Sequence, residues 1–214
     1  MQLLIGNRNY SSWSLRPWLF LRMSGVAFDT RRIPLYAEGS KAEILKYSPS
    51  GKVPLLIDGD LHVWDSLAIC EYAIDRFSLS RAWPEDRAER AEARSIVAEM
   101  HSGFTALRSQ LSMNCRRVPA VAKFDEAAAA DIERIDAIWT TCRHRFSKRG
   151  PGLFGEWSLV DAFYAPVVLR FDRYRLPCSQ LARDYQDNVL ALPAMQEWIE
   201  AARLEKEILP QFEV

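Results

Sequence analysis

Apolar positions in the first third of this chain fall in short runs bounded by turn residues; beyond it they recur at helical spacing. Residues 2–6 open with Leu3-Leu4-Ile5, a run of strand length. Residues 14–24 place Leu15, Trp18, Leu19 and Arg22 in one band, which predicts a helix with Pro17 in its first turn and Gly25 as its stop. Residues 28–33 read as a second strand and residues 38–46 as a short helix. Pro54 enters a third, short apolar strand at Leu55-Leu56, and Ile57-Asp58-Gly59-Asp60-Leu61-His62-Val63-Trp64 supplies a turn and a fourth. Asp65-Ser66 then starts a helix. The order β-α-β-α-β-β-α predicts a compact α/β layer over residues 1–77.

Residues 78–87 are polar, contain Pro84 and read as a linker. Residues 88–214 read as an all-helical bundle. Val97, Met100, Phe104, Leu107 and Leu111 form one stripe, read as a single long helix; Ala128, Ile132, Ile135, Trp139, Cys142 and Phe146 form another. Gly150-Pro151-Gly152 breaks the chain, and Ser158-Leu159-Val160-Asp161 is a capping-box variant with Asp in place of Glu or Gln. The helix it opens, to about Phe171, is mostly apolar, which implies burial. Leu192-Pro193 starts a further helix through Arg203.

The chain has 214 residues, formal net charge +0 and 49% hydrophobic residues, enough for a sizeable core. Balanced charge argues against a nucleic-acid partner. No apolar run approaches the roughly 20 residues that span a bilayer, and the first residues lack the basic start of a signal peptide. The four cysteines (Cys70, Cys115, Cys142, Cys178) have no metal-ligand spacing, and His62, His101 and His144 are dispersed, so no metal site is expected. Reduced packing thiols fit a cytoplasmic location.

The chemistry concentrates at two places. Pro54 bars ladder donation where its strand begins and suits a cis bond, leaving the Val53 backbone as an edge for a peptide-like ligand. Amides at Ser66, on a helix N-terminus, suit a carboxylate. One small ligand with a peptide backbone and an α-carboxylate satisfies both. Ser11 and Ser12, before the first helix, offer hydroxyls; by themselves they read first as helix caps or turn residues. No histidine lies near them in sequence, so a Ser-His-Asp arrangement has no local support.

Three motifs resemble the soluble glutathione S-transferases. Ser50-Gly51-Lys52-Val53-Pro54-Leu55-Leu56 is similar to that family's proline loop. Asp65-Ser66-Leu67-Ala68-Ile69 is similar to its acid-serine helix start. Gly155-Glu156-Trp157-Ser158-Leu159-Val160-Asp161-Ala162 is similar to the capping box of its central helix. The resemblance implies a thioredoxin-like N-terminal domain, a C-terminal helical-bundle domain and glutathione as co-substrate. Asn9-Tyr10-Ser11-Ser12-Trp13-Ser14 is similar to the serine-type loop of zeta-class members, which double as maleylacetoacetate isomerases, with Trp13 where that class carries Cys. Aligning back from Gly25 puts the catalytic serine at Ser11; counting back from Arg16 puts it at Ser12.

The same resemblance implies that Ser66 holds the γ-glutamyl carboxylate, Asp65 faces the ammonium, Lys52 pairs with the glycyl carboxylate and Val53 acts through its backbone. The acceptor pocket is expected between the domains, from Tyr10, Trp13, Phe104, Leu107, Leu111 and Met113. Asn114 and Arg116 adjoin it; Arg116 and Arg117 either balance a helix dipole or recognise an acidic acceptor. The implied activity is addition of the glutathione thiolate to a small electrophile by a homodimer. The alternatives are a glutathione-dependent cis-trans isomerase and a non-catalytic binding protein of the same fold.

Overall fold

The computed structural model describes residues 1–213. Four strands and three helices form the first layer: β1 (Gln2–Ile5), α1 (Ser12–Met23), β2 (Asp29–Arg32), α2 (Ser40–Leu45), β3 (Leu55–Asp58), β4 (Leu61–Val63) and α3 (Ser66–Phe77). The sheet runs β2-β1-β3-β4, with β1 parallel to β2 and antiparallel to β3, and β3 antiparallel to β4. Leu3, Leu4 and Ile5 are wholly buried, as a central strand covered on both faces requires. Leu4 and Leu55 meet Ile33 and Ile44 in a small core, while Leu3, Ile5 and Leu56 join the main one.

Six helices follow: α4 (Arg87–Ser102), α5 (Thr105–Gln110), α6 (Glu126–Phe146), α7 (Leu159–Arg173), α8 (Gln180–Leu190) and α9 (Pro193–Arg203). α7 is buried from Leu159 through Phe171, as its apolar sequence implies. Trp139 of α6 meets Tyr164 and Phe171 of α7 and Tyr185 of α8, with ring centroids 4.8–5.9 Å apart. α1 packs on α3 of its own layer and on α7 and α9 of the bundle, so it is buried from both sides. Among the described residues, no helix is long and apolar enough to cross a membrane.

Several elements differ from the sequence reading. α1 begins at Ser12 rather than residue 14, because the Ser11 hydroxyl caps it, and Pro17 therefore falls in the second turn. α2 starts only at Ser40, since Gly39 at φ 77° does not have a helical conformation. The stripe from Val97 to Leu111 is two helices. Gly103 leaves the helical path where a Cβ would meet the Glu99 carbonyl oxygen at 2.7 Å, and Phe104 takes φ 53°. α5 restarts with its Leu107 N–H donating to the Asp131 carboxylate of α6 at 3.0 Å. α8 carries Ala182, Tyr185 and Val189 on its buried face, a spacing the sequence reading passed over. The segment joining α3 to α4 is not wholly polar in its packing: Ala82 and Trp83 are buried.

Candidate active site

A cleft of about 1010 Å³ lies between the α/β layer and the bundle. Tyr10 and Ser11, at the end of the loop from Asn7, line it. The Asn7 carbonyl accepts from the Tyr10 and Ser11 amides at 3.2 and 2.8 Å, which turns the chain into α1. The Ser11 oxygen accepts from the Ser14 amide at 3.4 Å and lies 2.8 Å from the Ser14 hydroxyl oxygen, which itself accepts from the Gly6 amide at 3.0 Å. If Ser14 donates to Ser11, the Ser11 proton is left free to point elsewhere; the chain Gly6 N–H, Ser14 O–H, Ser11 O–H then runs in one direction and polarises along its length. Ser11 and Ser12 both line the cleft, and α1 has no acidic residue in its first turn to neutralise its positive end.

The second wall comes from the loop before β3. Lys52, Val53 and Pro54 line the cleft, and the Val53–Pro54 bond is cis. Pairing of β3 with β1 reaches Leu55, so Val53 lies outside that ladder. Lys41 of α2 also lines the cleft and donates to the Gly51 carbonyl at 2.9 Å, bracing the loop. Asp65 caps α3, its Oδ1 accepting from the Leu67 amide at 3.0 Å. Ser66 follows, wholly buried, and its hydroxyl has no hydrogen-bond partner among the described residues. A buried hydroxyl without a partner costs about 1–3 kcal/mol, which a carboxylate placed against it would recover.

The third wall is basic. The Arg16 guanidinium lies 4.3 Å from the Trp13 ring centroid, and that of Arg108 lies 4.7 Å from it. Arg16 also lies 5.2 Å from the Phe163 ring and is wholly buried, and its Nε and Nη1 have no hydrogen-bond partner among the described residues. Burial pushes Arg16 down to about 9, with repulsion from Arg108 and Arg170 adding to it. Arg170, on α7, donates to the Leu111 carbonyl at 2.8 Å and the Pro166 carbonyl at 3.0 Å. Burial brings it down to about 10, again with repulsion from Arg108. Arg108 and Arg170 line the cleft beside Thr105, Ser109, Ser112 and Met113.

Of the residues singled out from sequence, Tyr10, Ser11, Ser12, Trp13, Lys52, Val53, Pro54, Asp65 and Met113 line this one cleft. Phe104, Leu107 and Leu111 do not; they are buried in the main core, with α5 packed on α6, and Ser66 does not line it either, being wholly buried next to Asp65. Asn114 and Arg116 are also outside it. Asn114 accepts from the Asn9 side chain at 3.0 Å, and Arg116 donates to the Tyr10 hydroxyl at 3.0 Å and the Glu207 carbonyl at 2.6 Å. Arg117 lies 4.4 Å from the Tyr174 ring. The guanidiniums that line the cleft are therefore those of Arg108 and Arg170, not of the Arg116-Arg117 pair. Sequence reasoning missed both, as well as Arg16, Lys41, His101 and Phe212. Arg170 carried a signal: it is the one charged residue between Asp161 and Asp172 in a run that is otherwise mostly apolar.

The mixed sheet, the loop before β3 and the starts of α1 and α3 thus meet at one cleft. Residues 10–76 match the glutathione S-transferase N-terminal domain, and residues 125–201 match the glutathione S-transferase C-terminal domain. The chain belongs to the glutathione S-transferase family and is a glutathione-dependent enzyme. It is 31% identical to a probable maleylacetoacetate isomerase of Vibrio cholerae, over 92% of this chain and 95% of that protein. It is 34% identical to glutathione S-transferase 1 of Dianthus caryophyllus, over 79% and 76%. In fold it resembles a zeta-class bacterial maleyl pyruvate isomerase (TM-score 0.72, 21% identity, 97% and 100% covered). It also resembles a glutathione transferase homologue from Burkholderia with bound glutathione (TM-score 0.70, 22% identity, 94% and 97% covered).

Proposed function

We propose that this protein activates the thiol of glutathione for addition to a small electrophile that carries an acidic group. The observation that carries the proposal is the pair of cleft guanidiniums, Arg108 and Arg170, neither of which forms a salt bridge among the described residues. Guanidinium is the side chain best matched to a carboxylate. Burying it without an anion is costly, and an acidic acceptor offsets that cost.

Glutathione fits the other half. Its γ-glutamyl carboxylate meets the unpartnered Ser66 hydroxyl, its ammonium meets Asp65, its cysteinyl backbone pairs with Val53, and Lys52 or Lys41 faces its glycyl carboxylate. The thiol then lies by the start of α1. A cysteine-like thiol titrates near 8.5, and lowering that by two units takes about 2.7 kcal/mol. One charge-assisted hydrogen bond supplies about 1.5–3 kcal/mol and a helix N-terminus about 0.3–1. Ser11 is favoured as the donor, because the Ser14 amide already occupies its acceptor side and the Ser14 hydroxyl lies within reach to donate to it as well.

The likeness to the Vibrio cholerae protein supports a second reading, in which thiolate addition, bond rotation and elimination isomerise an acidic alkene and return glutathione. One purified preparation separates the readings. Conjugation depletes free thiol, whereas isomerisation of maleylacetoacetate does not. Under either, electrophiles bearing a carboxylate outperform their methyl esters by tenfold or more in kcat/KM, and Arg170→Leu abolishes the difference. Equal rates on acid and ester overturn the acidic-acceptor proposal, and no turnover across both panels overturns catalysis. The homodimer belongs to the same proposal, and light scattering of that preparation at the mass of one chain removes it.

A further inference from the structure

His101 closes α4, and its Nε2 lies 3.1 Å from Asp65 Oδ2. Its Nδ1 is buried and has no hydrogen-bond partner among the described residues. A bare ring nitrogen costs less there than an unpaired N–H, so the proton belongs on Nε2, donated to Asp65. The other Asp65 oxygen accepts from the Leu67 amide at 3.0 Å. Each carboxylate oxygen is thus fixed by one donor, one from its own helix and one from the bundle. The His101 ring meets Trp13 edge-on, with centroids 5.3 Å apart, and lies 6.1 Å from Phe163. Trp13 is the ring that Arg16 and Arg108 face. The same imidazole therefore touches the residue assigned to the ammonium of glutathione and the aromatic side chain of the acceptor wall.

We infer that His101 is a positioning residue: it aims the Asp65 carboxylate at the α-ammonium of glutathione, and it joins that subsite to the acceptor wall through Trp13. The inference rests on the proposal that Asp65 receives this ammonium. Two donors leave each Asp65 oxygen a free lone pair, and a cation is the ligand that uses both. Without His101 the carboxylate keeps its helix cap but is free to rotate about it, so glutathione must order it on binding.

Calorimetry with two ligands tests this on the full chain: glutathione, and γ-glutaryl-cysteinylglycine, which lacks only the α-amino group. Wild type is expected to bind glutathione at least tenfold more tightly than the analogue. His101→Leu is expected to bind the two within threefold of each other, with the analogue's affinity unchanged from wild type. His101→Gln, which keeps an N–H near the Nε2 position, is expected to restore most of the difference. A variant that loses affinity for both ligands equally assigns His101 a structural role and overturns the inference, as does His101→Leu with wild-type discrimination. Wild type that binds glutathione without discriminating overturns it through Asp65, and wild type that binds neither overturns the reading of the site itself.

Discussion

At the scale of single residues, the two adjacent hydroxyls are not equivalent. Ser11 sits at the end of a hydrogen-bonded series that starts at the Gly6 amide and passes through Ser14. Ser12 is the first residue of α1 and takes no part in it. Ser11→Ala is therefore expected to lower kcat/KM by about 10- to 150-fold, the loss of one charge-assisted hydrogen bond of about 1.5–3 kcal/mol. Ser12→Ala is expected to stay within threefold of wild type, and steady-state kinetics with a carboxylate-bearing electrophile measures both. The reverse pattern assigns the donor to Ser12. No cysteine lines the cleft to replace the serine, and burial pushes Cys115 and Cys142 up to about 12 and raises Cys70 as well. The place of Ser11, Ser12, Pro54 and Asp65 along the cleft was legible because each is local, a loop residue beside a helix start or strand start. Arg16, Arg108 and His101 were not, because basic residues on a helix read as a solvated face until its neighbours are known. Arg116 shows the converse: its cation was legible, but its partner, the backbone near Glu207, lies about ninety positions away.

Among the elements, the start of α7 was the most legible and is the most densely bonded. The Asp161 carboxylate accepts from the Leu153 amide at 2.8 Å, the Ser158 amide at 2.8 Å, the Ser158 hydroxyl at 3.1 Å and the Tyr185 hydroxyl at 3.1 Å. Asp161→Ala strands these donors in the core, and about 2–4 kcal/mol is expected to be lost, a fall in Tm of roughly 4–16 °C for a chain of this size. Burial holds the Asp161 carboxyl above its ordinary range, and its four donors lower it only in part. Such a group binds its proton more readily in the folded chain than in the unfolded one. Its contribution to stability therefore rises as pH falls from the raised folded value toward the unfolded value near 3.9. The deficit of Asp161→Ala against wild type is expected to widen on acidification through that window, as read by urea melts at successive pH values; a deficit that narrows contradicts the shift. The break between α4 and α5 was less legible, because heptad-like spacing continues across Gly103. There the chain leaves the helix at Gly103, where the Glu99 carbonyl leaves no room for a Cβ, a fact of the fold rather than of the spacing.

The whole molecule is closed by its last described residues, which fold back over the active-site loop. The Glu205 carboxylate accepts from the Arg8 amide at 2.8 Å and the Asn9 amide at 3.2 Å, and Arg32 pairs with Glu207 at 2.7 Å. Arg116 donates to the carbonyls of Glu205 and Glu207 and to the Tyr10 hydroxyl, which also accepts from the Leu209 amide at 3.2 Å and donates to Glu213. Phe212 lies 5.7 Å from the Tyr10 and Tyr36 rings and lines the cleft. The Tyr10 hydroxyl is thus committed to holding this strap, so Tyr10 meets an acceptor through its ring alone. Arg116 binds both ends of the contact, strap carbonyls on one side and Tyr10 on the other, and Asn114 adds a second such link, accepting from Asn9 and donating to Glu213. Arg116→Met keeps the length of the side chain but removes these donors. Two consequences follow from one cause: a loss of about 1–3 kcal/mol in stability, or roughly 2–12 °C in Tm, and release of the strap. Lys206 is exposed within it, so trypsin is expected to cut after Lys206 at least tenfold faster in the variant. With Phe212 no longer held against Tyr10, KM for the acceptor is expected to rise more than KM for glutathione. A variant that melts lower but is cut at Lys206 no faster than wild type places the strap outside the control of Arg116, leaving Glu205 and its two loop amides as the main clamp.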